Sequence, residues 1–183
     1  MLKRLLTALP AFLLILASLY GCQAARVEVE GDKTLAAAKD TAVDGQEEKQ
    51  APPIALLSTD GKMIRLSDYK GKKVVINFWT TWCPPCREEL PELQSFYREM
   101  DKRKIAFLGV NVTAEEASRE DVQEFLAVNG VRFPVLLDEK GEASRSYQIV
   151  TIPTTVIIDE KGNLSQKIIG PVTKKQLNHL TVP

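Results

Sequence analysis

The chain has 183 residues, 44% apolar and 26% charged, enough for the core of one domain with extra segments. Lys plus Arg and Asp plus Glu both total 24, and no Arg-rich run exists, which argues against nucleic acid as a partner. Three cysteines are too few for a disulfide scaffold, so Cys22 and the pair Cys83 and Cys86 need separate explanations.

Lys3-Arg4 precedes an apolar run from Leu5 to Tyr20, the pattern of an export signal. The run is shorter than the roughly 20 residues of a spanning helix. Leu19-Tyr20-Gly21-Cys22 resembles a bacterial lipobox, in which the Cys is lipidated, although Tyr20 stands where a small residue is usual. The alternative is an uncleaved signal anchor. Either reading places the remainder outside the cytoplasmic membrane, tethered to it, with the positive flank inside. Residues 23–50 carry four basic and seven acidic side chains and no aromatic. Such a stretch buries too little apolar surface to offset chain entropy, and reads as a flexible spacer.

From residue 51 the pattern changes. Ile54–Leu57 and Met63–Leu66 flank Asp60-Gly61, a hairpin signal. Ser67 to Lys73 reads as a loop. Val74–Trp79 is β-branched and aromatic on both faces, as a central strand requires. Pro84 and Pro85 fit the first turn of a helix running to about Arg103. Leu90, Leu93, Tyr97 and Met100 form one apolar stripe on it, and Pro91 predicts a kink. Ile105–Val112 is a buried-type strand. Thr113 is the expected cap of a helix to about Asn129-Gly130, with Glu115 and Glu116 in its first turn. A strand at Phe133–Leu137, a turn at 138–141 and a short helix at Glu142–Tyr147 follow. Thr154–Ile158 and Leu164–Ile169 make a second hairpin, and Val172–Leu180 a last helix. The order ββ, β-α-β-α-β-α, ββ-α implies an α/β sandwich with a mixed sheet.

Trp82-Cys83-Pro84-Pro85-Cys86 carries the chemistry. Cysteines three apart on a helical turn can close a small disulfide ring. At a helix N-terminus the dipole and first-turn N–H groups favour a negative charge, so the Cys83 thiolate is expected to be the nucleophile. Cys86, one turn in and expected to be more buried, would resolve the mixed disulfide. Zinc would need four ligands, and the chain offers this pair and a single distant histidine, His179. A static structural disulfide fits the strand-then-helix setting poorly.

The stretch Val75 to Pro91 resembles the thioredoxin-superfamily active site in its TlpA/ResA branch. Gly109-Val110-Asn111-Val112, Phe133 to Asp138 and Ile152-Pro153-Thr154-Thr155 are similar to further stretches of that branch. The resemblance covers nearly all of residues 51–183. It implies a thioredoxin-like three-layer sandwich with an added N-terminal β-hairpin and no cofactor. It implies a cis Pro153 facing the CxxC, with Ile152, Pro153 and Thr154 docking the client. Trp82, Pro84 and Pro85 support the centre, with the Trp82 ring exposed over the sulfur. The implied partners are a protein disulfide client, with apocytochrome c haem-site cysteines or spore-envelope proteins as candidates, and a membrane thiol carrier of CcdA/DsbD type as electron donor.

Asn77 departs from thioredoxin, whose pattern has a buried Asp six residues before the first Cys. An amide exchanges no protons. Glu89 is the substitute: it lies one turn beyond Cys86 on the same face, at the edge of the apolar stripe, where a carboxyl is raised towards neutrality. The ResA-like branch carries a functional Glu at this position. The leading expectation is therefore a reductase of protein disulfides. A disulfide-forming oxidase, a thiol peroxidase and a redox-inert binding module are the alternatives.

Overall fold

The computed structural model describes residues 49–181. The signal segment 1–22, the lipidation candidate Cys22 and nearly all of the 23–50 spacer lie outside the described residues. The described chain begins in contact with the domain: the Lys49 carbonyl accepts from Leu164 N, and Gln50 bridges to Asn163.

The elements run β1 (Ala55–Ser58), β2 (Met63–Arg65), β3 (Lys73–Trp79), α1 (Pro84–Glu99), β4 (Ile105–Asn111), α2 (Arg119–Val128), β5 (Val135–Leu137), α3 (Glu142–Ser146), β6 (Thr154–Ile158), β7 (Leu164–Ile169) and α4 (Lys174–Thr181). They form one sheet of order β2-β1-β5-β4-β3-β6-β7. β3 pairs β4 and β4 pairs β5 in parallel, because helices connect them; every other pairing is antiparallel. The β1–β2 hairpin extends the sheet beyond β5 and is the added N-terminal hairpin of the expected thioredoxin-like sandwich.

Alternation along β3 divides the core. Val75 and Trp79 join Leu90, Leu93, Phe96, Val122, Val172 and Leu177 under α1, α2 and α4. Val74, Ile76 and Phe78 join Ala143 and Tyr147 under α3 on the other face. Asn77 lies on the first face, by the same period of two.

Several element boundaries differ from expectation. α1 stops at Glu99 rather than Arg103: Met100 turns to extended backbone, and the Asp101 carboxylate takes Arg103 N at 3.0 Å, favouring a turn over another helical residue. α1 is continuous through Pro91, which is exposed. Thr113 does not cap α2. It opens a 3₁₀ turn, Thr113–Glu115, and its hydroxyl goes to Asn111; Ser118 is the cap, its Oγ accepting from Asp121 N at 3.1 Å. β5 begins at Val135 because Pro134 has no N–H for the ladder and Phe133 turns into the core, 4.9 Å from the Phe107 ring.

Candidate active site

β3 ends at Trp79 and α1 starts at Pro84, so Cys83 is the N-cap residue, with extended backbone at φ −80° and ψ 110°. Its Sγ accepts from Cys86 N at 3.3 Å, and its carbonyl from Arg87 N at 3.2 Å. Pro84 and Pro85 occupy the first two helical positions. Neither has an N–H, so Cys86 N is the only first-turn donor aimed at the Cys83 sulfur. Cys83 and Cys86 are joined as a disulfide. The expected difference in burial is absent: Cys83 is 2% and Cys86 4% exposed, because both sulfurs sit under the rim of the same core cluster.

Glu89 is one helical turn beyond Cys86 and only 3% exposed, whereas Glu88 and Glu92 on the same helix are exposed. Its Oε1 accepts from Asn77 Nδ2 at 2.9 Å and its Oε2 from Val172 N at 2.9 Å. The Asn77 amide donates also to Thr155 Oγ1 at 3.1 Å, across the β3–β6 register that places the two residues opposite each other. Burial pushes the Glu89 carboxyl up to about 7, against the two hydrogen bonds, which favour the charged form. A proton can therefore be gained or lost at Glu89 near neutral pH.

The Ile152–Pro153 peptide is cis. Pro153 is buried, its carbonyl accepts from Gly170 N at 2.9 Å, and Thr154 Oγ1 donates to Thr151 O at 2.6 Å. Ile152 packs against the cluster that contains Cys83 and Cys86. Trp82 is 55% exposed, with its ring N–H donating to Glu115 O at 3.0 Å. His179 is exposed on α4. Among the described residues no group of three or more His, Cys, Asp or Glu side chains is placed to hold a metal ion.

Two partners of the site were not legible in the sequence. The Val172 N–H is a backbone group that only the α1–α4 packing brings to Glu89. Glu116, expected in the first turn of a helix, instead grips the chain just before the CxxC. Its Oε1 accepts from Thr81 N and from Asn111 Nδ2, both at 2.7 Å, and its Oε2 from Thr81 Oγ1 at 2.6 Å.

A sequence model described as the AhpC/TSA family matches residues 48–167. The chain belongs to that family. This AhpC/TSA member is 41% identical over 138 residues to the sporulation thiol-disulfide oxidoreductase A of Bacillus subtilis, a match covering 74% of the chain and 83% of that protein. It is 37% identical over 131 residues to the thiol-disulfide oxidoreductase ResA of Bacillus thuringiensis, covering 70% and 73%. The crystal structure of StoA from Bacillus subtilis superposes on it with a TM-score of 0.67 and 37% identity, over 72% of this chain and 98% of that one. The fold is therefore thioredoxin-like, and the enzyme class of this AhpC/TSA member is thiol–disulfide oxidoreductase.

Proposed function

We propose that the chain reduces disulfides of client proteins outside the cytoplasmic membrane, to which Cys22 or an uncleaved N-terminal segment tethers it. The observation that carries the mechanism is the buried Glu89 carboxyl, one turn beyond the Cys83–Cys86 disulfide and able to take or give a proton near pH 7. The Cys83 thiolate attacks one sulfur of the client disulfide. A mixed disulfide forms and the first client thiolate leaves, to be protonated by solvent. Glu89 takes the proton of the Cys86 thiol, and the Cys86 thiolate attacks the Cys83 sulfur. The second client thiolate leaves, and Cys83 and Cys86 have given up two electrons to become the disulfide. Ile152, Pro153 and Thr154 dock the client backbone, and Trp82, Pro84, Pro85 and Asn77 shape the centre.

The clients favoured by the family resemblance are apocytochrome c haem-site cysteines or spore-envelope proteins, and the electron donor a membrane thiol carrier of CcdA/DsbD type. Cys86→Ala in the full chain tests the reading. It should accumulate a dithiothreitol-sensitive adduct with the client, lost again when Cys83 is also replaced. No adduct would refute the exchange mechanism. A reduction potential near thioredoxin's, about −270 mV, supports a reductase; one near about −120 mV makes the chain an oxidase.

A further inference from the structure

The approach to Cys83 is held from a segment the mechanism above does not use. Thr80 and Thr81 link β3 to Trp82, and Glu116 takes both hydrogen-bond donors of Thr81, the backbone N–H at 2.7 Å and the hydroxyl at 2.6 Å. Asn111, fully buried at the end of β4, donates to the same carboxylate at 2.7 Å, and its Oδ1 accepts from Thr113 Oγ1 at 2.9 Å. The neighbouring Glu115 carbonyl takes the Trp82 ring N–H at 3.0 Å. One short segment thus grips the two residues directly before the nucleophile. Two residues of chain cannot separate Thr81 from Cys83 by more than about 7.6 Å between Cα atoms.

We propose that Glu116 is a positioning residue of the redox centre, which fixes the Thr81–Trp82 approach and holds a negative charge close enough to Cys83 to disfavour its thiolate. This rests on the reading of Cys83 as the nucleophile and deepens it by giving the centre a direction. A helix N-terminus ordinarily lowers a thiol by presenting several N–H groups, but Pro84 and Pro85 leave Cys86 N as the one first-turn donor on the sulfur. Glu116 then opposes what remains of that stabilisation. Of the charged side chains around the segment, the Arg87 guanidinium lies over the Phe125 ring, 5.8 Å from its centroid, Arg119, three residues on from Glu116, pairs with Glu139 at 3.8 Å, Glu88 is exposed, and Glu89 is a second acid, buried on Asn77 and Val172. A reduced form whose thiolate is not stabilised gives up electrons readily, which is the property of a reductase rather than of an oxidase.

The test is the pH dependence of iodoacetamide alkylation of Cys83, in the full chain carrying Cys86→Ala, with and without changes at Glu116. Glu116→Gln, which keeps an acceptor for Thr81 N but removes the charge, should lower the alkylation midpoint by about half a pH unit or more. Glu116→Asp, which keeps the charge, should stay near the parent value. Glu116→Ala is the second neutral variant, with the same expected direction, and serves if the Gln form does not fold. A midpoint that ignores Gln and Ala, or one that Asp shifts as far as they do, overturns the proposal, because geometry alone would then explain the clamp. A Cys83 that does not alkylate even with Glu116 intact overturns the nucleophile reading and this inference together. A reactive Cys83 indifferent to charge at position 116 overturns this inference alone.

Discussion

Asn77 Nδ2 lies 2.9 Å from Glu89 Oε1, and neither residue has appreciable contact with solvent. The amide donates, so it favours the carboxylate, yet burial outweighs it and holds the Glu89 carboxyl at about 7 against an ordinary 4.5. The native state therefore binds a proton that the unfolded chain has already lost between these two pH values. Stability falls as pH rises through that window and levels off above it, by a total on the order of 3 kcal/mol. Glu89→Gln, neutral throughout, should flatten that decline in urea melts collected from pH 4.5 to 8. It should also slow resolution of the mixed disulfide at pH 7 by about tenfold or more, since Cys86 loses its proton acceptor. An unchanged stability slope would mean that Glu89 is not held protonated, and unchanged turnover that it moves no proton.

Asn77→Asp tests the same contact from the other side. It replaces the donor to Glu89 by a second acid in a buried site. Two carboxylates at this separation cannot both ionise without a large repulsion. The variant should lose about 2 kcal/mol or more at pH 8 and recover most of it near pH 5, where one proton is shared. Melts at the two pH values decide it: a loss independent of pH would trace to packing rather than charge.

The fold and the five-residue centre were legible because they rest on local rules. The β-branched run of β3, the prolines at the head of α1 and the Asp-Gly turn each fix their own conformation. Glu89 was legible through its spacing from Cys86 and its place beside Leu90 and Leu93, and the cis Ile152–Pro153 bond only through family resemblance. The partners of Glu89 and the role of Glu116 were not legible. The Val172 N–H reaches Glu89 across a sequence separation of 83, and a backbone donor leaves no trace in side-chain pattern. Glu116 misled for a different reason. An acid four residues into a polar stretch reads as a first-turn helix residue, and only the tertiary contact with Thr81 and Asn111 pulls it away.

That displacement makes the start of α2 a test of its own. Ser118 caps the helix through Asp121 N at 3.1 Å, and its hydroxyl donates to Asp121 Oδ2 at 2.8 Å. Ser118→Ala should cost about 1 kcal/mol. Circular dichroism melts of Ser118→Ala and the parent suffice. A negligible effect of Ser118→Ala would return the cap to Thr113.

Gly109 tests the packing behind the site. It sits on β4 opposite Asn77 in the parallel register, and β4 is buried along its whole length. A Cβ at this position would stand 2.8 Å from Phe133 Cε2, 3.3 Å from Phe133 Cδ2 and 3.3 Å from Trp79 Nε1. Phe133 cannot simply swing aside, because its ring is held edge-on against Phe107 at 4.9 Å and Tyr97 at 6.2 Å between centroids. Its neighbour Pro134 is tied to the same strand, with the Pro134 carbonyl accepting from Gly109 N at 2.9 Å. Gly109→Ala should therefore destabilise by roughly 1–3 kcal/mol, through overpacking rather than backbone strain. Combining it with Phe133→Leu, which removes the clashing ring edge, should cost less than the sum of the two single changes, since the two residues share one contact. Additive losses in chemical denaturation would show that the added methyl is accommodated elsewhere and that the Gly109–Phe133 approach does not set the strand spacing behind Asn77.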